Sequence, residues 1–228
     1  MRYPQGRLLV MAKAPLAGIA KTRLIPALGA EGAAILQRYL IERQLAEAVS
    51  AESAPIQLWC AEECLHPFFI ECRERFGLTL HCQQGKDLGE RLLYALESAL
   101  SEADFTIVIG CDIPELNAEV LQEACVAMQQ GADAVIVPAE DGGYTLLGIR
   151  RAEPLLFNQI DWGSNRVMAQ TRERLHSLGW RWRELDALWD VDRPQDLSRL
   201  LRLEILPDRI QRMVAMALSQ VDNRQRIK

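Results

Sequence analysis

Short apolar runs alternate with helical patterns along most of the chain, and this alternation restricts the fold more than any single motif. The runs predict strands at Leu8–Ala12, Ile56–Cys60, Leu78–Cys82, Phe105–Gly110, Ala134–Pro138, Tyr144–Ile149 and Trp180–Leu185. The helical patterns lie at Ala30–Val49, Pro67–Phe76, Leu88–Leu100, Ala118–Gln130, Arg166–Leu178, Pro194–Leu206 and Pro207–Leu218. This order predicts an α/β layer fold in which helices flank a mostly parallel sheet. Gly142 and Gly143, between two of the strands, predict one hairpin within that sheet.

Length and composition indicate an ordinary globular protein. The 228 residues are 49% hydrophobic and 25% charged, and we expect a single domain over residues 1–228 with a charged tail from about residue 220. The net charge of −5 disfavours a general nucleic-acid surface. No signal-like segment begins the chain and no apolar run is long enough for a membrane helix. We therefore expect a cytoplasmic protein with no membrane segment.

The six cysteines indicate neither a metal site nor a disulfide framework. They stand at Cys60, Cys64, Cys72, Cys82, Cys111 and Cys125. No two of them form a C-x-x-C pair, and we expect this long chain not to be secreted. We therefore disfavour a zinc site and expect free thiols that pack as small apolar side chains.

The loop behind the first predicted strand concentrates positive charge. It carries Lys13, Lys21 and Arg23, although the whole chain contains only four lysines. Cations on a flexible turn at the carboxyl end of a strand suit the phosphates of a nucleotide. A Walker A loop is excluded because Ala20 stands where that motif requires glycine, and no G-x-G-x-x-G follows the strand. The alternative is a solvated connection with scattered cations.

Acidic residues follow two other predicted strands. Asp112 comes after Phe105–Gly110, whose apolar content predicts a buried central strand, and Asp190 and Asp192 come after the last strand. A carboxylate at the carboxyl end of a central strand suits Mg²⁺ or Mn²⁺, which are held by one or two carboxylates and by substrate phosphates. The alternatives are that Asp112 caps a turn and that Asp192 or Arg193 caps a helix beginning at Pro194.

Three further segments carry weaker signals. Asp87 and Arg91 lie where a helix begins, so free backbone N–H groups there could meet a base or phosphate, although Gly and Asp mark any helix start. The segment from Asp141 to Tyr144 either lets a substrate approach the backbone or simply forms a tight hairpin. Trp162 either shapes an acceptor pocket or packs in the core.

Five motifs, taken in order, resemble one known family. They are Lys13-Ala14-Pro15…Gly18…Lys21-Thr22-Arg23-Leu24, Asp87-Leu88-Gly89-Glu90-Arg91, Ile109-Gly110-x-Asp112-x-Pro114-x-Leu116, Asp141-Gly142-Gly143-Tyr144 and Asp190-Val191-Asp192-x-Pro194-x-Asp196-Leu197. Together they resemble the bacterial GT-A-like family of predicted glycosyltransferases, also called the radical-SAM- and selenodomain-associated transferases, from about Leu8 to Leu201. The chain more distantly resembles the 2-phospho-lactate guanylyltransferases, which have a similar Lys/Arg loop and Asp-Gly-Gly segment.

The resemblance implies a Rossmann-like GT-A fold that uses a nucleotide or nucleotide-sugar donor, Mg²⁺ or Mn²⁺, and an acceptor of unknown identity, and it allows a homodimer. The nucleotide-binding residues would be Lys13, Ala14, Lys21, Arg23, Asp87 and Arg91. The acceptor-binding residues would be Gly142, Gly143, Tyr144 and Trp162. Asp112 and Asp141 would be catalytic, and Asp112 and Asp192 would hold the metal.

The expected function is metal-dependent transfer from an activated nucleotide. We favour a sugar donor because an acid, a phenol and a tryptophan surround the predicted acceptor site, where Arg166 is the one cation close in sequence. Nucleotidyl transfer from a nucleoside triphosphate, as in the guanylyltransferases, is the first alternative. A non-catalytic nucleotide-binding module is the second.

Overall fold

A seven-stranded sheet forms the centre of the protein. The structure, a computed structural model, describes the backbone of residues 1–226 and the side chains of residues 1–219. Its strands are β1 (Gly6–Lys13), β2 (Ile56–Ala61), β3 (Thr79–Cys82), β4 (Phe105–Ile109), β5 (Ala134–Pro138), β6 (Tyr144–Ile149) and β7 (Trp182–Glu184). Its helices are α1 (Ile25–Ser50), α2 (Pro67–Phe76), α3 (Leu88–Leu100), α4 (Ala118–Gln129), α5 (Val167–Ser177), α6 (Asp196–Arg202) and α7 (Asp208–Arg226).

The strand order confirms the predicted α/β fold with a mostly parallel mixed sheet. The order across the sheet is β3-β2-β1-β4-β6-β5-β7. Strands β3, β2, β1 and β4 are parallel, and β7 is parallel to β5. Strand β6 alone runs antiparallel to both of its neighbours, β4 and β5. The hairpin predicted from Gly142 and Gly143 therefore joins β5 to β6.

Helices cover both faces of the sheet. Because successive side chains of a strand point to opposite faces, Leu8 and Val10 of β1 face one layer and Leu9 faces the other. The first layer contains α1, α2 and α4, and the second contains α3 and α5. A separate apolar cluster joins α1 to α6 and α7, and it buries Trp189 and Val191. That cluster anchors the segment before α6, which carries two of the acidic residues singled out above.

The start of α6 differs from the prediction. The helix begins at Asp196 and not at Pro194, and neither Asp192 nor Arg193 caps it. Instead, the Asp196 carboxylate accepts hydrogen bonds from the backbone N–H groups of Asp192 and Arg193, at 3.0 and 2.6 Å. This reversed cap holds the residues around Pro194 in a turn. Elsewhere the helix and strand limits differ from the predictions by no more than five residues, except that α7 continues to Arg226 and does not end at Leu218. The backbone of residues 220–226, part of the predicted charged tail, therefore lies in α7, and the side chains from residue 220 onwards lie outside those described.

The prediction of six free cysteines is wrong for two of them. Cys64 and Cys82 form a disulfide, whereas the other four thiols are free and buried. The fold explains the pairing, because parallel pairing of β2 and β3 brings the end of β3 beside the loop that follows β2. The two Cα atoms are then 5.4 Å apart, although 18 residues separate the cysteines in sequence. No described helix is long and apolar enough to cross a membrane.

Breaking this disulfide should lower the free energy of unfolding by about 2–4 kcal/mol, because the bridge closes a loop of moderate length in the unfolded chain. Urea unfolding with and without a strong reductant measures the difference. The double variant Cys64→Ser/Cys82→Ser is the control and should not respond to the reductant. Equal unfolding midpoints for the wild type in both buffers would contradict the prediction.

Candidate functional site

Two cavities meet where β1 and β4 end. One, here called the loop cavity, has a volume of about 430 Å³ and lies against the β1–α1 loop, with Lys21, Arg23 and Arg91 in its wall. The other, here called the hairpin cavity, measures about 200 Å³ and lies between the β5–β6 hairpin and the segment before α5. Gly110 and Asp112 line both cavities. The carboxylate that ends the central strand thus stands at their shared wall.

Lys21 is a buried ammonium bonded on two sides. Its Nζ donates to Asp112 Oδ2 at 2.6 Å and to the carbonyl oxygen of Val191 at 2.5 Å. Burial lowers the pKa of Lys21, but the Asp112 carboxylate outweighs burial, so the pKa is raised and the group stays charged. Its backbone is left-handed, with φ 48° and ψ 45°, an uncommon conformation for a residue with a side chain. Lys21 therefore ties the end of β4 to the segment before α6.

Arg23 and Asp192 form a second ion pair at the rim of the loop cavity. An Nη1 of Arg23 donates to Asp192 Oδ2, and this hydrogen bond raises the pKa of Arg23. The Arg23 side chain is 61% exposed and that of Asp192 is 35% exposed. The structure thus brings together the four residues predicted for phosphate and metal, but it pairs each cation with a carboxylate.

The other residues predicted for the nucleotide lie in different environments. Lys13 lines the loop cavity and pairs with Glu62 at 3.4 Å, and Arg91 lines it while donating from Nε to a backbone carbonyl. Asp87 caps α3 by accepting a hydrogen bond from the N–H of Glu90 at 2.9 Å. Ala14 is fully buried in the core. A direct role in binding therefore fits Lys13 and Arg91 better than Asp87 and Ala14.

The hairpin cavity contains most of the residues predicted for the acceptor. Tyr144 and Trp162 meet edge to face, with ring centroids 6.2 Å apart, and burial raises the pKa of Tyr144. Asp141 accepts a hydrogen bond from the N–H of Gly143 at 3.0 Å, which fixes its carboxylate in the turn. Gly142 has a structural reason to be glycine, since its φ is 95° and an added Cβ would lie 2.3 Å from a backbone oxygen of the neighbouring segment.

Asp190 is a residue of the site to which the sequence motifs assigned no role. It lines the hairpin cavity, whereas Val191 between it and Asp192 is buried in the core. Burial, together with the nearby carboxylates of Asp112 and Asp141, raises the pKa of Asp190 to about 6, although the Lys21 ammonium acts in the opposite direction. Alternation along the Asp-Val-Asp segment indicates that both acids face the same way, but nothing in the sequence reveals which cavity each one lines.

Two glutamine side chains also belong to the site, although the sequence motifs did not indicate them. Gln83 donates from Nε2 to the carbonyl oxygens of Trp59 and Ala12, at 2.8 and 3.3 Å, and Gln37 donates to the carbonyl oxygen of Lys13 at 3.4 Å. Both line the loop cavity. They satisfy backbone carbonyls where β1 and β2 end, and no sequence motif marks this role.

A second polar network holds the segment before α6 in place. The indole N–H of Trp189 donates to Glu115, and the guanidinium of Arg199 lies over the Trp189 ring, 4.4 Å from its centroid. Arg199 also donates to Glu140 in the β5–β6 loop at 2.6 Å. The network therefore joins the loops after β4 and β5 to α6 and holds the acidic segment between them.

The carboxylates fit a divalent ion only together with a ligand that supplies more oxygens. Among the described side chains, no group of three or more His, Cys, Asp or Glu residues is placed to hold an ion. Asp112 and Asp192 offer two carboxylates near one cavity. Mg²⁺ commonly takes one or two carboxylates and completes its shell with substrate phosphates and water. The donor set therefore suits that mode of binding.

Three solved structures share this fold. A "putative nucleotide-diphospho-sugar transferase" from Desulfovibrio desulfuricans G20 is 29% identical, with a TM-score of 0.81 and 96% of each chain covered. A CMP:2-keto-3-deoxy-manno-octonic acid synthetase complexed with CTP is 14% identical over 89% of this chain and 100% of its own, with a TM-score of 0.55. The manganese complex of Rv0371c from Mycobacterium tuberculosis H37Rv is 17% identical over 87% of this chain and 98% of its own, with a TM-score of 0.51. The last two show the fold alone.

The fold is thus shared with a putative nucleotide-diphospho-sugar transferase and with a cytidylyltransferase. The chain belongs to the family described as "Uncharacterized protein conserved in bacteria (DUF2064)", whose model matches residues 44–164. That match runs from α1 to the segment before α5 and includes Asp112 and the β5–β6 hairpin. No curated protein sequence matches the chain significantly.

Ionisation of Asp190 should destabilise the folded protein as the pH rises from about 4 to 6. The folded protein keeps the proton up to pH about 6, whereas the unfolded chain releases it near the ordinary value of 3.8. Between these values the folded state binds more protons, so stability falls with rising pH, by about 1–2 kcal/mol after allowance for solvent screening.

Guanidinium unfolding at several pH values, in EDTA, measures this effect as a difference between the wild type and Asp190→Asn. The variant should gain stability relative to the wild type across that interval and show a constant difference outside it. Asp208→Asn, at an exposed helix start, is the matched control. Parallel stability profiles for the wild type and Asp190→Asn would show that Asp190 titrates normally.

Proposed function

We propose that the protein is a metal-dependent transferase of the GT-A type that uses an activated nucleotide, with a nucleotide-sugar as the favoured donor. The observation that carries the proposal is the position of Asp112 in the wall of both cavities. A donor whose phosphates lie in the loop cavity and an acceptor in the hairpin cavity would meet at this carboxylate. Transfer between two substrates requires such a junction.

The loop cavity suits the nucleotide part of the donor. Its volume of about 430 Å³ is within the range of small-molecule sites, and Lys13, Lys21, Arg23 and Arg91 line it. Arg23 can grip phosphate oxygens with two parallel N–H groups, and Lys21 can act as a point charge. The amides of Gln83 and Gln37 lie deeper, where strand ends form the wall.

Charge stabilisation is the catalytic contribution that these residues can make. When bound, Mg²⁺ or Mn²⁺ would offset the negative charge that develops on the leaving nucleotide. Asp112 and Asp192 are the residues that would hold it. Lys21 and Arg23 would add fixed positive charge at the same phosphates, which lowers the barrier because their orientation is set before the reaction begins.

The hairpin cavity favours a sugar over an anionic acceptor. None of the described residues in its wall is Lys or Arg, and three of them, Asp112, Asp141 and Asp190, are acids. The nearby Arg166 already pairs with Asp161 at 3.0 Å. Carboxylates accept hydrogen bonds from hydroxyl groups, and the faces of Tyr144 and Trp162 can cover apolar sugar surface. A phosphorylated or carboxylate acceptor would be repelled.

Nucleotidyl transfer is the second candidate, because cytidylyltransferases share the fold and the same cations would serve a triphosphate. The two reactions differ in the bond that breaks. Glycosyl transfer breaks the bond between sugar and phosphate and releases a nucleoside phosphate. Nucleotidyl transfer breaks the α–β phosphate bond and releases pyrophosphate.

Asp112→Asn should lower the transfer rate by about 100-fold or more, because it removes a charge that holds the metal next to the leaving group. Nucleotide affinity should fall mainly when Mg²⁺ or Mn²⁺ is present. Rates and affinities measured with and without metal separate the two effects, and Asp208→Asn is the matched control. An equal loss of affinity with and without metal would show that Asp112 is not a metal ligand.

A panel of nucleotide-sugars and nucleoside triphosphates, each with Mg²⁺ or Mn²⁺, distinguishes the two reactions. Slow hydrolysis of one sugar donor, with release of a nucleoside mono- or diphosphate, is the expected result. Product analysis by ion-exchange chromatography identifies the released nucleotide. Pyrophosphate released from a triphosphate, with every sugar donor intact, would support nucleotidyl transfer instead.

A further inference from the structure

The two carboxylates proposed to hold the metal, Asp112 and Asp192, are each paired with a cation proposed to bind phosphates. Lys21 Nζ lies 2.6 Å from Asp112 Oδ2, and Arg23 donates to Asp192. The Lys21 side chain is 6% exposed and Asp112 33% exposed, so the first pair lies within the cavity wall, whereas Arg23 and Asp192, at 61% and 35%, form the second pair at the rim. Lys21 and Arg23 are therefore each neutralised by a carboxylate before any ligand enters.

We propose that the loop cavity takes a preformed complex of a divalent ion with a nucleoside di- or triphosphate, and that this complex replaces both ion pairs at once. The phosphates take Lys21 and Arg23 from their carboxylates, and the metal takes Asp112 and Asp192. This inference rests on the proposed function and names its ligand more narrowly, since neither the free metal nor the metal-free nucleotide is the species bound.

The charges explain why the two components must arrive together. A divalent ion alone would sit beside two cations that already occupy the carboxylates. A polyphosphate alone would sit beside Asp112 and Asp192, with Asp190 close to both of them. In either case the ligand must break an ion pair, and one member of that pair is left without an opposite charge. Leaving a charge unpaired is costly at a partly desolvated site. The complex leaves every charge with an opposite partner.

The contacts also provide a path for the exchange. An ammonium has three N–H donors, and Lys21 uses two of them, on Asp112 and on the carbonyl oxygen of Val191. The third can meet an incoming phosphate while the bond to Val191 keeps the side chain in place. Arg23 is 61% exposed, so its guanidinium can turn from Asp192 to a phosphate without unpacking the core.

Binding of Mn²⁺ without nucleotide tests the exchange directly, because electron paramagnetic resonance counts the free ion and needs no activity. The wild type should bind free Mn²⁺ weakly. Lys21→Met and Arg23→Met each release a carboxylate, so each should bind free Mn²⁺ about tenfold more tightly, as removal of one nearby positive charge predicts. Arg183→Met, which breaks the exposed 2.6 Å pair with Glu123, is the matched control and should change nothing.

The same variants should respond in the opposite direction to the complete ligand. Calorimetric titration with the Mn²⁺ complex of a nucleoside diphosphate should show weaker binding to Lys21→Met and Arg23→Met than to the wild type. Metal-free nucleotide in EDTA should bind the wild type at least about tenfold more weakly than the complex does. Arg23→Met, at an exposed position, keeps the test valid if Lys21→Met fails to fold.

The outcomes separate this inference from the proposed function. Free Mn²⁺ that binds the wild type as tightly as it binds Arg23→Met and Lys21→Met would show that the ion pairs are permanent, and would overturn the exchange. A wild type that binds no nucleotide with or without metal would overturn the proposed function. The comparison in free Mn²⁺ would still decide whether the cations compete with a metal for the carboxylates.

Discussion

The contact between the Lys21 ammonium, the Asp112 carboxylate and the Val191 carbonyl oxygen determines the geometry of the whole site. It joins three segments that are distant in sequence, namely the β1–α1 loop, the end of β4 and the segment before α6. The apolar cluster beneath buries Val191, and the reversed cap on α6 fixes the backbone of Asp192. A charged group can stay buried here because its partners are equally well held.

The fold was predictable from the sequence because its signals are local. Strand β4 is apolar apart from Thr106, and all five of its residues are buried, so the position of Asp112 at a sheet edge followed from the chain alone. The hairpin followed from two consecutive glycines. The start of α6 was predicted too early in the chain. The Asp196 carboxylate accepts hydrogen bonds from the N–H groups of Asp192 and Arg193, which holds Pro194 in a turn before the helix. No sequence signature marks this use of the carboxylate.

The site was predictable only as a set of residues and not as a set of contacts. The motifs selected Lys21, Arg23, Asp112 and Asp192, but which cation meets which carboxylate depends on distances across the sheet. The Cys64–Cys82 bridge was missed for the same reason, because the register of β2 against β3 creates it. The number of acids around the hairpin cavity likewise emerges only when Asp190 and Asp141 are brought together from separate loops.

The antiparallel direction of β6 has a consequence for how such a protein can diversify. In a purely parallel sheet only strand ends reach the edge where ligands bind, whereas β6 presents its first residue, Tyr144, there. Both sides of one short turn therefore face the hairpin cavity. Changes in the length or chemistry of that turn can alter the shape of the hairpin cavity without shifting the register of the buried strands. The shape of the hairpin cavity and the stability of the sheet are in this way encoded in separate parts of the chain.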